Sequence, residues 1–206
     1  SDANYGKFVA YPFERGYGVT MGNTLRRILL SSIQGYAISA IRITSYGDDG
    51  TPKVITSEYE AIPEVAEDTP DIINNLKAVK INLGGGEEEK VIVVEAKGPG
   101  TITAKDIQVD NTLEVINKDL LICTLMEKAN LELEIQIDLG RGYVPSERSE
   151  KYVEIIGTIP IDAVFSPVKK VKYLVENTRV GQRTDYDKLI LEIWTDGTMP
   201  PEDALA

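Results

Sequence analysis

Histidine does not occur in these 206 residues, and cysteine occurs once. Without an imidazole there is no Ser-His or Cys-His triad and no histidine-ligated metal. The lone thiol, Cys123, allows neither an internal disulfide nor a multi-cysteine cluster, and its apolar surroundings mark it as core packing. No apolar run approaches the roughly 18 residues of a membrane helix, and no basic segment leads into a hydrophobic signal core, so a cytoplasmic chain is expected. Basic residues are also in deficit: 22 Lys and Arg against 33 Asp and Glu leave a formal net charge of -11. A duplex binder must bring cations to displace condensed counterions, so any link to DNA is expected to run through partners.

What is present reads as an ordinary globular chain, 42% hydrophobic and 27% charged. Lys7 to Phe13 predicts a strand, turned by Glu14-Arg15-Gly16-Tyr17-Gly18. In the helix that follows, Met21, Leu25, Ile28, Leu29 and Ser32 fall on one side, with Ile33 at the margin and Gly35 closing the helix. Arg27 then points nearly opposite that stripe, flanked by Asn23, Leu30 and Gln34, with Arg26 on the border. Tyr36 to Ser45 and Lys53 to Ile62 read as strands around a Gly47-Asp48-Asp49-Gly50 turn. Thr69 as N-cap and Pro70 in the first turn start a helix with Ile72, Ile73, Leu76 and Val79 as its stripe. Gly84 to Glu89 predicts a hairpin tip between strands ending at Leu83 and beginning at Lys90. Leu131 to Leu139 alternates strictly, the pattern of a strand with one buried and one wet face. Val171, Tyr173 and Val175 alternate likewise, Gly181 to Asp187 supplies a reversal, and Leu189 to Thr195 returns. Thr198, Pro200 and Pro201 open a last helix that the sequence leaves within about a turn, from which a longer parent protein is expected. The elements sum to an α+β fold with antiparallel strands dominant.

Three constellations carry possible chemistry. Gly16, Gly18 and Gly22 sit between strand and helix as in a dinucleotide fingerprint, but the third glycine is one residue late and no parallel sheet follows. Asp185 and Asp187 have the spacing by which two carboxylates hold Mg²⁺ or Mn²⁺, which leaves a metal-dependent nucleotide or sugar transferase as one reading. Arg179, Arg183 and Lys188 lie close enough in sequence to offer the bland alternative of turn and salt-link chemistry. Arg27 beside Leu30 on an outward face suits a protein interface, since guanidinium offers a planar fork and a stackable surface; an ordinary solvated helix back is the alternative.

Glu14 to Gly18 followed by Thr20-Met21-Gly22-Asn23-Thr24-Leu25-Arg26-Arg27-Ile28-Leu29-Leu30-Ser31-Ser32 is similar to the signature of bacterial RNA polymerase alpha subunits. Glu67-Asp68 with Ile72-Ile73 and Asn75-Leu76-Lys77, Gly140 to Pro145, and Phe165 to Thr198 resemble further blocks of that family in order. The resemblance implies a discontinuous dimerisation domain of antiparallel sheet plus helices, residues 1–45 and 158–206, with an inserted, mostly antiparallel β-rich domain, residues 46–157. It implies a non-catalytic assembly scaffold that forms a homodimer and holds the β and β′ subunits, acting in nucleotidyl transfer only as part of the polymerase. Onto this sequence it carries Arg27 as the leading β-subunit contact, with Arg26, Asn23, Leu30 and Ser31 as neighbours. Lys77 follows as a contact for β or β′, and Arg183 and Asp185 as interface residues. It further implies no metal or other cofactor in this chain, the magnesium belonging to the catalytic subunit, and neither membrane nor direct nucleic-acid contact by this fragment.

Overall fold

The computed structural model describes residues 3–148 and 156–206. Its elements in chain order begin with β1 (Tyr5–Phe13), α1 (Tyr17–Ser31), β2 (Gln34–Tyr46), β3 (Pro52–Ile55), α2 (Thr69–Lys77), β4 (Ile81–Leu83) and β5 (Glu89–Lys97). They continue with β6 (Gly100–Thr103), β7 (Leu113–Val115), β8 (Leu121–Leu125), β9 (Asn130–Arg141), β10 (Tyr143–Val144), β11 (Ile159–Pro160) and β12 (Ala163–Val164). The long strands β13 (Val168–Val180) and β14 (Arg183–Thr195) lead to a short α3 (Pro201–Leu205). The fold is α+β and mostly antiparallel.

Contacts gather these elements into two compact units, Ser1–Gly35 with Ser166–Ala206, and Tyr36–Phe165. The seams near Ser45 and Gly157 that the family resemblance implies differ from this division. β2 pairs along its length with β3, β4 and β11, so its residues belong to the sheet of the second unit.

In the first unit the order is β1-β14-β13, all antiparallel. Alternation puts Leu189, Leu191 and Ile193 on one face of β14, where they are buried with Val171 of β13. Leu29 of α1 and Ala204 of α3 close over that face. The reversal between β13 and β14 is tighter than predicted. Gly181, at φ 64°, occupies the turn and β14 resumes at Arg183, so Asp185 and Asp187 lie on a strand.

In the second unit the sheet order is β5-β9-β2-β4-β7. Strict alternation along β9 buries Leu131, Leu133, Ile135 and Ile137, as its sequence pattern predicts. Ile72 and Leu76 of α2 and the β6–β8 pair, with Ile102 and Cys123, complete this core. Each such fully buried side chain is worth about 1.5–3 kcal/mol of apolar transfer.

Four local expectations change. No hairpin joins β4 to β5, because β4 is already flanked by β2 and β7 and has no free edge, so β5 crosses to β9. The strand predicted from Lys53 to Ile62 stops at Ile55, where the Glu60 carboxylate accepts from the N–H and hydroxyl of Thr56 and closes a turn. Asp68, in extended conformation, is the N-cap of α2, while the Thr69 hydroxyl donates to the Glu60 carbonyl. α1 ends at Ser31 with Ser32 as its C-cap, whose N–H donates to the Ile28 carbonyl, and Gly35 already belongs to β2.

Candidate functional site

The N-terminus of α1 has no capping side chain of its own, since its N-cap is Gly16 at φ 92°. The cap comes from across the unit. Asp187 Oδ2 on β14 accepts from the N–H of Gly16 at 2.9 Å and of Gly18 at 3.1 Å. A carboxylate there satisfies two of the orphan donors of the first turn and meets the positive end of the helix dipole. The anion at this glycine-rich corner is therefore the protein's own. That occupies two of the donors a bound phosphate would use, and it engages the carboxylate that the metal-transferase reading requires. Asp185 is exposed two residues away on the same face of the strand. Among the described residues no group of three or more carboxylate or thiol side chains gathers to hold a metal.

Close approach fixes which side of α1 is inward. A Cβ on Gly22 would come within 2.6 Å of the Tyr173 ring, and one on Gly18 within 2.8 Å of Val175 and 2.9 Å of Asp187. Gly18, Gly22 and Leu29 are the buried residues of the helix, with Leu25, Leu30 and Ile33 packed partly against the same core. This corrects the stripe predicted from apolar residues alone. Met21 is 38% and Ile28 46% exposed, and Leu30 turns toward the core although it was expected on the outward face. The spacing of Gly18 and Gly22, one helical turn apart, is the signal in the sequence that marks the true inward face.

The outward side holds the remaining predicted residues. Arg27, Arg26, Asn23 and Ser31 are exposed, and the Ser31 hydroxyl donates to the Arg27 carbonyl at 2.6 Å. Among the described residues, neither Arg26 nor Arg27 has an ion-pair partner. Beside Arg27 runs a second feature that periodicity reasoning missed: Tyr17, Met21 and Ile28 form an exposed apolar flank at helical spacing. The outer side of α1 thus carries an exposed apolar flank and two arginines without an ion-pair partner among the described residues.

Lys77 lies in the other unit, at the end of α2. Its Nζ donates to Asp162 Oδ2 at 3.3 Å and sits 5.6 Å from the centre of the Tyr143 ring. Asp162 also accepts from the Ser146 N–H at 2.7 Å, and that bond, followed by those from Lys77 and the neighbouring hydroxyls, holds its carboxyl below the usual range. Tyr143 remains 53% exposed, so Lys77 belongs to an ordered polar surface with an aromatic component. Arg183 and Asp185 are exposed at the start of β14, just after the β13–β14 reversal.

Comparison with known proteins adds the lineage. The family model described as the RNA polymerase Rpb3/RpoA insert domain matches residues 41–166. The chain is 53% identical over 205 residues to the DNA-directed RNA polymerase subunit alpha of Borrelia garinii subsp. bavariensis, covering 99% of this chain and 60% of that protein. It is 52% identical over 202 residues to the same subunit of Treponema pallidum, covering 98% of this chain and 58% of the relative. For Geobacter metallireducens the identity is 50% over 202 residues, with 98% and 56% covered. The chain thus spans less than two thirds of the length of these relatives.

Proposed function

Because the chain belongs to the family of the RNA polymerase Rpb3/RpoA insert domain and is similar over nearly its full length to bacterial alpha subunits, we propose that it is the assembly scaffold of a DNA-directed RNA polymerase. In this reading it pairs with a second copy of itself and carries the β and β′ subunits, with no cofactor and no chemistry of its own. The observation that carries it is the outward face of α1. Arg27 is exposed and unpaired among the described residues, on a helix held rigidly by Asp187 and by glycine contacts. Arg27 is the leading contact for β, with Arg26, Asn23 and Ser31 around it. The flank of Tyr17, Met21 and Ile28 supports pairing with the second copy, since that much exposed aliphatic and aromatic surface on one helix is costly to leave in water. Lys77 with Tyr143 forms a second contact for β or β′, and Arg183 with Asp185 a third.

The test is Arg27→Ala in the full-length subunit. An exposed helix position contributes within about 0.5 kcal/mol of stability, whereas a central interface arginine contributes about 2 kcal/mol or more to binding. Recovery of the β subunit with the tagged variant should fall by about thirtyfold in affinity, with thermal unfolding unchanged. Normal recovery of β would remove Arg27 from the interface.

A further inference from the structure

β5 is an edge strand of the large sheet, and its free side has a defined phase. The Leu139 N–H donates to the Glu88 carbonyl and the Gly98 N–H to the Ala129 carbonyl, both at 2.9 Å. Between these two bonds the register runs without interruption, Lys90 opposite Ile137, Ile92 opposite Ile135, Val94 opposite Leu133 and Ala96 opposite Leu131. Bonded positions alternate in an antiparallel ladder, so the even-numbered residues pair with β9 and Val91, Val93 and Glu95 turn their N–H and C=O groups away from it. Among the described residues none of those groups has a hydrogen-bond partner.

The surroundings of this edge are selective. Val91 is 57% and Val93 45% exposed, an unprotected centre for a strand of nine residues. A cleft of about 420 Å³ runs beside it, between Val93, Glu95 and Lys97 on one wall and Ile102, Asp106 and Val109 on the other. Val109 is itself 50% exposed. On the solvent face, Glu95 lies directly opposite Glu132 and Val93 opposite Glu134, a like-charge arrangement that costs stability in the sheet as it stands. No ion pair among the described residues relieves Glu95, Glu132 or Glu134. The Tyr46 hydroxyl donates to Glu132 at 2.7 Å, and that bond with the crowded carboxylates holds the phenol above its ordinary value.

We propose that the free edge of β5 receives an extended, basic segment of another polypeptide as an added strand. Three outward backbone pairs supply the hydrogen bonds of strand addition. The carboxylates of Glu95, Glu132 and Glu134 select lysine or arginine on the solvent face of the incoming strand, where the aliphatic stems of those residues cover Val91 and Val93. Small apolar side chains on its other face enter the cleft over Val109. The site lies wholly within the second unit and does not depend on the role assigned to α1. Nucleic acid is disfavoured by the same carboxylates.

The experiment is amide exchange by NMR on the full chain, with a short amidated peptide of alternating valine and lysine as the probe and an alternating valine and glutamate peptide as control. In the free chain the Val91, Val93 and Glu95 amides should exchange fast, and those of Ile92 and Val94 slowly. The valine-lysine peptide should slow the three outward amides, and the glutamate control should leave them unchanged. Val93→Pro removes one outward donor at a position where an edge strand tolerates proline, and should weaken binding by about tenfold with unfolding unchanged. If that variant fails to fold, Glu95→Lys is the second arm and should weaken the basic peptide while admitting the acidic one. Slow outward amides in the free chain, no protection by the basic peptide, or equal protection by both peptides would overturn the proposal.

Discussion

Asp187 is 6% exposed and accepts two backbone N–H bonds at the start of α1. Hydrogen bonds to a charged acceptor are worth about 1.5–3 kcal/mol each, and removing the acceptor strands a buried donor at Gly18. Asp187→Ala should therefore lower stability by about 2–4 kcal/mol and the melting temperature by roughly 5–15 °C. Circular dichroism melts would measure this, with Asp187→Asn recovering part of the loss; an unchanged melt would deny the capping role. Cys123 gives a second residue-level prediction. Burial first, and the charge of Glu67 second, push its thiol from 9.0 up to about 12. A folded-state value above the unfolded one means the contribution is complete below pH 9.0 and is lost as pH rises toward about 12. Between those values the urea midpoint should fall more steeply in the wild type than in Cys123→Ala. At about pH 8 a thiolate-specific reagent should label Cys123 only after unfolding. The core placement of Cys123 was legible from its apolar neighbours. The task of Asp187 was not, because its partners lie 169 and 171 positions away in the chain.

At the scale of elements, β9 was legible because a period of two needs only local sequence to declare a buried face, whereas β14 was legible only over its apolar half, Leu189 to Thr195. α1 was legible as a helix but not in its orientation. Its inward side is made by Gly18 and Gly22, which contribute no hydrophobic side chain and instead let the backbone approach Tyr173 and Val175. A reading that counts apolar residues is then drawn toward Met21 and Ile28, which belong to the outer flank. That displacement has a measurable consequence. Ile28→Glu should leave the melting temperature within roughly 2 °C, as an exposed substitution does. In the full-length subunit it should weaken self-association by about tenfold or more, read by light scattering over a dilution series. A large loss of stability with association intact would place Ile28 in the core and reverse the assignment of faces.

For the whole molecule, the larger core draws all its members from Tyr36–Phe165, from Ile38 on β2 to Ile161 after β11. A segment with its own closed core is expected to fold alone. Residues 36–165 expressed separately should unfold cooperatively in urea with a slope of about 1–3 kcal/mol/M and keep dispersed amide signals; a broad, non-cooperative transition would show that it needs the rest of the chain. The sequence by itself determined what composition and local periodicity can carry: the exclusion of histidine chemistry, the alternating strands, the exposed Arg27, and motif blocks long enough to identify the family. Only the tertiary structure decided the order β5-β9-β2-β4-β7, the division at Gly35 and Phe165, the inward face of α1 and the cap supplied by Asp187. The physical reason is the range of the interaction. Alternation and helical period are set by neighbours in the chain, whereas strand order, glycine-mediated close approach and a cap delivered from a distant strand exist only once remote segments are brought together.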